Sequence, residues 1–242
     1  MKLHTIQTGF FKLDGGAMFG VVPKSIWNKL NPADANNMCT WAMRCLLIED
    51  GNRLILVDNG IGDKQDEKFF SHYYLHGDDS LDKSLASNGF HRNDITDVIL
   101  THLHFDHCGG SIIRQGDKLL PAFPNATYWS HSKHWEWAVN PNDREKASFL
   151  KENILPIEAS GQLKFRDLST AEFPENLDTI EAFGHTESMM LPKIHYKDRT
   201  IVFMADLLPS AAHIPIPYVM AYDMFPLTTL HEKKKFLQEA VA

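Results

Sequence analysis

Thr101-His102-Leu103-His104-Phe105-Asp106-His107-Cys108-Gly109-Gly110 is the stretch on which the fold turns. It follows Ile95-Thr96-Asp97-Val98-Ile99-Leu100, a largely apolar run of strand length, and its double glycine permits a sharp loop. The histidines are therefore predicted on a loop at a strand's end. Residues two apart on an extended segment point the same way, so His102 and His104 can bind one metal while Asp106 and His107 face a neighbouring position. Imidazole and carboxylate suit zinc or a similar first-row metal, and the absence of paired cysteines argues against a closed structural site. An open, catalytic site is the expectation.

Working outward, the same pattern recurs. Upstream, residues 41–48 read as a strand, Glu49-Asp50-Gly51-Asn52 as a turn, and residues 53–57 as a second strand, apolar throughout and so buried on both faces. That strand ends abruptly in Asp58-Asn59-Gly60. Residues 78–88 have helical spacing, with Gly89 as the left-handed stop. Downstream, a strand is predicted near 126–129 and helices over 132–139 and 144–154. Further strands over 179–183 and 200–204 end in Gly184-His185-Thr186 and Ala205-Asp206. His131 and His134, near Trp135 and Trp137, are read as a helix start with aromatic core residues rather than a second metal box. The Pro-rich stretch 209–217 reads as a surface loop. Alternating hairpins, strands and helices argue for an α/β sandwich.

The ten-residue stretch carries His-x-His-x-Asp-His behind a buried strand, and in this it resembles the metallo-β-lactamase superfamily. Leu54-Ile55-Leu56-Val57-Asp58-Asn59-Gly60 resembles that family's first motif, Gly184-His185-Thr186 the third, and Ala205-Asp206 the fourth, in the family order. The segment Asp14-Gly15-Gly16-Ala17-Met18-Phe19-Gly20 with Pro23-Lys24, and Asp206-Leu207-Leu208-Pro209 followed by His213, look like the lactonase and methyl parathion hydrolase branch. The resemblance implies an αββα sandwich, two mixed β-sheets flanked by helices. It also implies two divalent metal ions, zinc foremost with manganese or iron as alternatives. His102, His104 and His185 would hold the first, Asp106 and His107 the second, and Asp206 would bridge them, with Asp106 and Asp206 in the catalytic set. Asp58 would orient a ligand imidazole. A metal-bridging hydroxide would then attack a lactone, ester or phosphoester.

Residues 229–242 read as an amphipathic helix with Leu230, Phe236, Leu237 and Ala240 on one side. The resemblance places one more histidine ligand after that helix, and neither His213 nor His231 is assigned as that ligand. The expectation is one domain over 1–242 whose last strand and ligand loop lie beyond Ala242. Phe19 and Trp27, with Met18, are candidates for an apolar substrate entrance, and can equally be core; His213 is the other substrate-region candidate. Tyr222, His213 and Asp223 are the late-loop residues from which a proton donor could come.

Composition narrows the partners. With 24 Lys+Arg against 31 Asp+Glu, the net charge of −7 leaves no electrostatic footprint for nucleic acid. The basic run Lys233 to Lys235 reads as a solvated helix face. Three cysteines are too few for a disulfide framework, and no apolar run reaches membrane-spanning length, so a cytoplasmic enzyme acting on a small molecule is expected, possible as a homodimer. Three other readings stay open: a mononuclear iron enzyme resembling persulfide dioxygenases, a thioester hydrolase resembling glyoxalase II, and a non-catalytic metal-binding descendant.

Overall fold

In the computed structural model, which describes residues 1–241, the long strand β1 (Lys2–Asp14) leads through the single-turn helices α1 (Gly15–Phe19) and α2 (Lys24–Trp27) into β2 (Met38–Asp50). The turn at Gly51 returns the chain as β3 (Arg53–Val57). Next come α3 (Glu67–Ser71), α4 (Leu81–Ser87), β4 (Asp97–Ile99) and α5 (Phe105–Cys108). A hairpin of β5 (Ile112–Gln115) and β6 (Lys118–Pro121) precedes β7 (Thr127–Ser130), α6 (Ser132–Val139), α7 (Lys151–Ala159) and β8 (Leu163–Phe165). The chain closes with β9 (Leu177–Ala182), β10 (Met189–Tyr196), β11 (Arg199–Val202) and α8 (Pro226–Ala240).

Six strands form one mixed sheet in the order β1-β2-β3-β4-β7-β8, and β11-β10-β9 form an antiparallel second sheet. The pleat of β3 explains why the two sheets stack. Leu54 and Leu56 face a core shared with Leu85, Trp135, Ile154 and Ile157 of the helices, while Ile55 and Val57 face Met190 and Ile194 of the second sheet. Helices thus cover the outer face of the large sheet, giving the expected sandwich. Because β3, β4 and β7 run parallel, their carboxyl ends share one edge of the sheet. Loops at such an edge are where α/β sheets place their chemistry.

Several boundaries differ from the sequence reading. The whole of β1 escaped it, as did β10. The helix predicted over 144–154 is instead a turn-rich loop followed by α7, and the final helix begins at Pro226. On α8 the fully buried residues are Thr229 and Lys233, on the same face as the half-buried Leu230, Phe236 and Leu237 of the predicted side, so the Lys233 to Lys235 run is not wholly a solvated face. Ala242, where the predicted helix ended, lies outside the described residues. Among those described, no helix is long and apolar enough to cross a membrane.

Candidate metal centre

Two loops pack backbone to backbone at the sheet edge. A Cβ on Gly109 would lie 2.1 Å from the Ile61 carbonyl oxygen, so only glycine allows the loop after β3 to lie against the histidine loop. Lys64 adds a tie, its Nζ donating to the Gly109 carbonyl. Asp58 itself sits at a left-handed φ of 57°, and Ala205, beside Asp206, at 41°. Such backbone is disfavoured for residues with a Cβ, and it persists where surrounding contacts over-determine it. At Asp58 those contacts are plain: Oδ1 accepts from the Thr101 amide at 2.9 Å, and Oδ2 accepts from Thr101 Oγ1 and His107 Nδ1, each at 2.9 Å.

The structure brings the sequence-predicted cluster together in two overlapping groups. Ligand atoms of His102, His104 and His185 lie within 4.8 Å of one another, and so do those of His102, His107 and Asp206. Asp206 stands between the groups, with Oδ1 3.2 Å from His107 Nε2 and Oδ2 3.2 Å from His185 Nε2. Asp106 is at the margin of the second group, Oδ2 3.6 Å from His107 Nε2.

Hydrogen bonds on the outward ring nitrogens decide what the inward ones can do. His104 Nε2 meets Glu145 Oε1 at 2.9 Å, His107 Nδ1 meets Asp58, and His185 Nδ1 meets Asp223 Oδ1 at 2.8 Å. A carboxylate only accepts, so each of those nitrogens carries a proton, and in the neutral ring the opposite one presents a lone pair. Thr101 Oγ1, already donating to Asp58, accepts from His102 Nδ1 at 3.0 Å, which leaves His102 Nε2 bare. That buried atom has no hydrogen-bond partner among the described residues. His104 Nδ1 and His185 Nε2, both lone-pair nitrogens by this logic, face each other at 3.2 Å. A proton or a metal ion relieves that arrangement, and four ligand nitrogens converging beside a carboxylate suit divalent metal ions of the zinc type.

Protonation follows the same geometry. Burial, then the neighbouring imidazoles, keeps His102 well below the ordinary imidazole value. Burial also pulls on His107, but Asp206 and Asp106 overcome it and raise that ring well above the ordinary value; His185 rises too, through Asp206 and Asp223. Asp206, despite burial, is held well below the carboxylate range by His107 and His185. Raised imidazole values mean that protons compete with metal earlier during acidification than a free imidazole at about 6.5 would allow. Apparent metal affinity is therefore expected to weaken as pH falls. Competition with a chromophoric chelator at stepped pH checks this; an affinity independent of pH across the acid range would contradict it.

Above the cluster opens a cavity of about 880 Å³. Phe11, Trp41, Met43, Tyr73, Phe105 and Met220 give it apolar walls, with Arg44 and Arg144 among the polar residues. Phe19, Trp27 and His213 do not line it. They stack behind the wall instead, Phe19 lying 5.2 Å from Trp27 and 4.7 Å from His213 between ring centroids, all three fully buried. His213 ties that stack to the main chain, its Nε2 donating to the Met18 carbonyl at 2.8 Å. Met18 does reach the cavity, and so does Tyr222, whose phenol burial pushes up to about 12. Glu145 was missed by the sequence reading: it is buried, and against that burial His104 holds it down to about 2. Asp223, considered there only as a proton donor, serves His185.

The profile of the Metallo-beta-lactamase superfamily matches residues 44–239. N-acyl homoserine lactonases from Bacillus thuringiensis are 27% identical over 165 residues, which cover 64% of this chain and 56% of theirs. One from Bacillus cereus is 28% identical over the same length. The matched region thus spans a little over half the length of these curated relatives. Among solved structures, a probable metal-dependent hydrolase from Staphylococcus aureus superposes with a TM-score of 0.89 at 28% identity, over 98% of this chain and 84% of that one. The dizinc quorum-quenching lactonase AidC, in complex with a product, gives a TM-score of 0.78 over 99% of this chain and 85% of that one. At 24% identity the latter likeness speaks to the fold alone.

Proposed function

The chain belongs to the metallo-β-lactamase superfamily, and from that premise we propose that it is a binuclear metal-dependent hydrolase that opens an acylated lactone. The observation that carries this reading is the convergence of four lone-pair imidazole nitrogens and Asp206 at the floor of an apolar-walled cavity. In it His102, His104 and His185 would hold one ion, His107 and Asp106 would hold a second, and Asp206 would serve both. Two such ions, when bound, supply a hydroxide nucleophile near neutral pH and Lewis acidity at the scissile carbonyl.

The chain's own residues do the rest. Asp58, Glu145 and Asp223 fix the ring orientations and keep the outward protons in place, so the inward lone pairs need no rearrangement. Phe11, Trp41 and Met43 offer an apolar surface of the kind that takes an acyl chain, and the volume falls within the usual range for small-molecule sites. Tyr73 and Tyr222, both pushed up to about 12 by burial, bring protonated phenols to that wall. The N-acyl homoserine lactonase activity of the relatives supports acyl homoserine lactones as the substrate class.

The test is ring opening of N-hexanoyl homoserine lactone by protein loaded with zinc or manganese, with metal content measured on the same sample. Turnover that is lost on chelation and restored by readdition is the expected result. Absence of turnover at full metal occupancy would remove the lactonase reading, and oxygen uptake with a persulfide would replace it.

A further inference from the structure

His134 stands outside the ligand set, yet it touches both segments that deliver ligands. It lies on α6 and is 1% exposed. Its Nε2 accepts from the Leu103 amide at 2.8 Å, and Leu103 is the residue between His102 and His104. Its Nδ1 meets the Glu187 carbonyl oxygen at 2.6 Å, two residues after His185. An amide can only donate and a carbonyl can only accept, so the ring is fixed as the neutral tautomer with its proton on Nδ1. One imidazole thereby spans the gap between the loop after β4 and the loop after β9.

We propose that His134 is a positioning residue that sets the separation of the two ligand loops, and hence the bite of the three-histidine group on its metal. The observations are independent of sequence spacing. The two loops belong to different sheets, which meet through apolar packing of Ile99, Trp129 and Met190. Apolar contacts are non-directional and tolerate small slides, whereas hydrogen bonds constrain distance and angle. Among the described residues one backbone link nearby shares the task, the Met190 amide donating to the Thr101 carbonyl at 2.8 Å, and it lies on the β10 side of the loop. His134 fixes the other side, next to His185. Ring packing against Phe149, centroids 5.9 Å apart, holds it in that rotamer.

This inference rests on the metal-centre reading above, and the experiment separates the two. Zinc affinity is measured by competition with a chromophoric chelator for the wild type, His134→Gln and His134→Leu, together with the melting temperature of each metal-free protein. A carboxamide keeps one acceptor and one donor, while leucine keeps neither. The expected result is zinc binding weaker by on the order of tenfold or more for His134→Leu, the range typical of outer partners of metal ligands, with wild-type affinity in His134→Gln. Wild-type affinity in His134→Leu, even with a lowered melting temperature, would overturn the proposal by showing a structural role alone. So would loss of affinity in His134→Gln. Should His134→Leu fail to fold, the affinity of His134→Gln and the ring-nitrogen NMR shifts of the wild type decide: Nδ1 protonated supports the clip, Nε2 protonated overturns it. A wild type that binds no zinc would instead defeat the metal-centre reading.

Discussion

Asparagine in place of Asp206 is expected to lower lactone turnover by roughly a thousandfold or more and to remove at least one metal ion per chain, with the fold retained. The side chain is isosteric, so packing is unchanged, but the electrostatics are not. Asp206 presents one oxygen to His107 Nε2 and the other to His185 Nε2, each at 3.2 Å. A carboxamide can present an oxygen to one group only, and its NH₂ turns two partial positive hydrogens toward the other. Wherever a cation is to bind, that face becomes repulsive. Removing the carboxylate also takes away one of the charges that raise His107, leaving Asp106 and Asp58 to hold it. Elemental analysis, lactone hydrolysis and far-UV circular dichroism on the same preparation check the prediction. Unchanged metal content would show that Asp206 does not bridge, whatever the activity.

How much of this could be read from the sequence depends on how far each feature reaches. The His102 to His107 run was legible because its logic is local: an extended segment puts alternate side chains on one side, and the buried strand before it fixes where that segment begins. His185 and Asp206 were legible from their places just past strand ends. Their partners were not. Glu145 lies in a stretch with helical spacing, but its carboxylate is drawn inward to His104, Trp137 and Asn142, and the chain turns around it until α7 starts at Lys151. Asp223 and His134 reach the site only through tertiary packing, for which no spacing rule exists. Two strands were hidden for backbone reasons. In β1 the pairing with β2 shifts register between Gln7 and Phe10, around Gly9 at φ 115°, and one extra residue reverses the inward and outward alternation. In β10 Pro192 sits mid-strand opposite Thr179, a position where proline argues against a strand. Phe19 and Trp27, readable as either substrate entrance or core, and His213, a substrate-region candidate, went to the core for a simpler reason. Three flat rings gain more from one another behind the wall than from a solvated mouth.

Methionine in place of Lys233 is expected to lower stability by roughly 2–4 kcal/mol, although the change looks like a gain in apolarity. Lys233 is fully buried on α8, and its Nζ donates to the carbonyls of Pro215 at 3.1 Å, Ile216 at 3.3 Å and Tyr218 at 2.7 Å. Methionine has similar volume, so no cavity opens, and the measured loss isolates the donors. The three carbonyls, in a loop exposed at Pro215 and half-buried at Ile216 and Tyr218, would lose their shared partner, at a cost of about 1–3 kcal/mol for each that finds no water. The loop they belong to runs on to Met220 and Tyr222 on the cavity wall and to Asp223 behind His185, so zinc affinity should fall along with stability. For a chain of this length the melting temperature should drop by about 5–15 °C. Lys234→Met and Lys235→Met, at exposed neighbours, should stay within about 0.5 kcal/mol of wild type. The pH dependence gives a second check with a definite sign. Burial lowers Lys233 from 10.5 to about 8, so between those values the unfolded chain binds more protons than the fold, and wild-type stability from this group rises with pH. The gap between wild type and Lys233→Met should therefore widen from about pH 8 upward. A gap that narrowed over that range would mean that the ammonium is held by its three carbonyls more firmly than burial disfavours it.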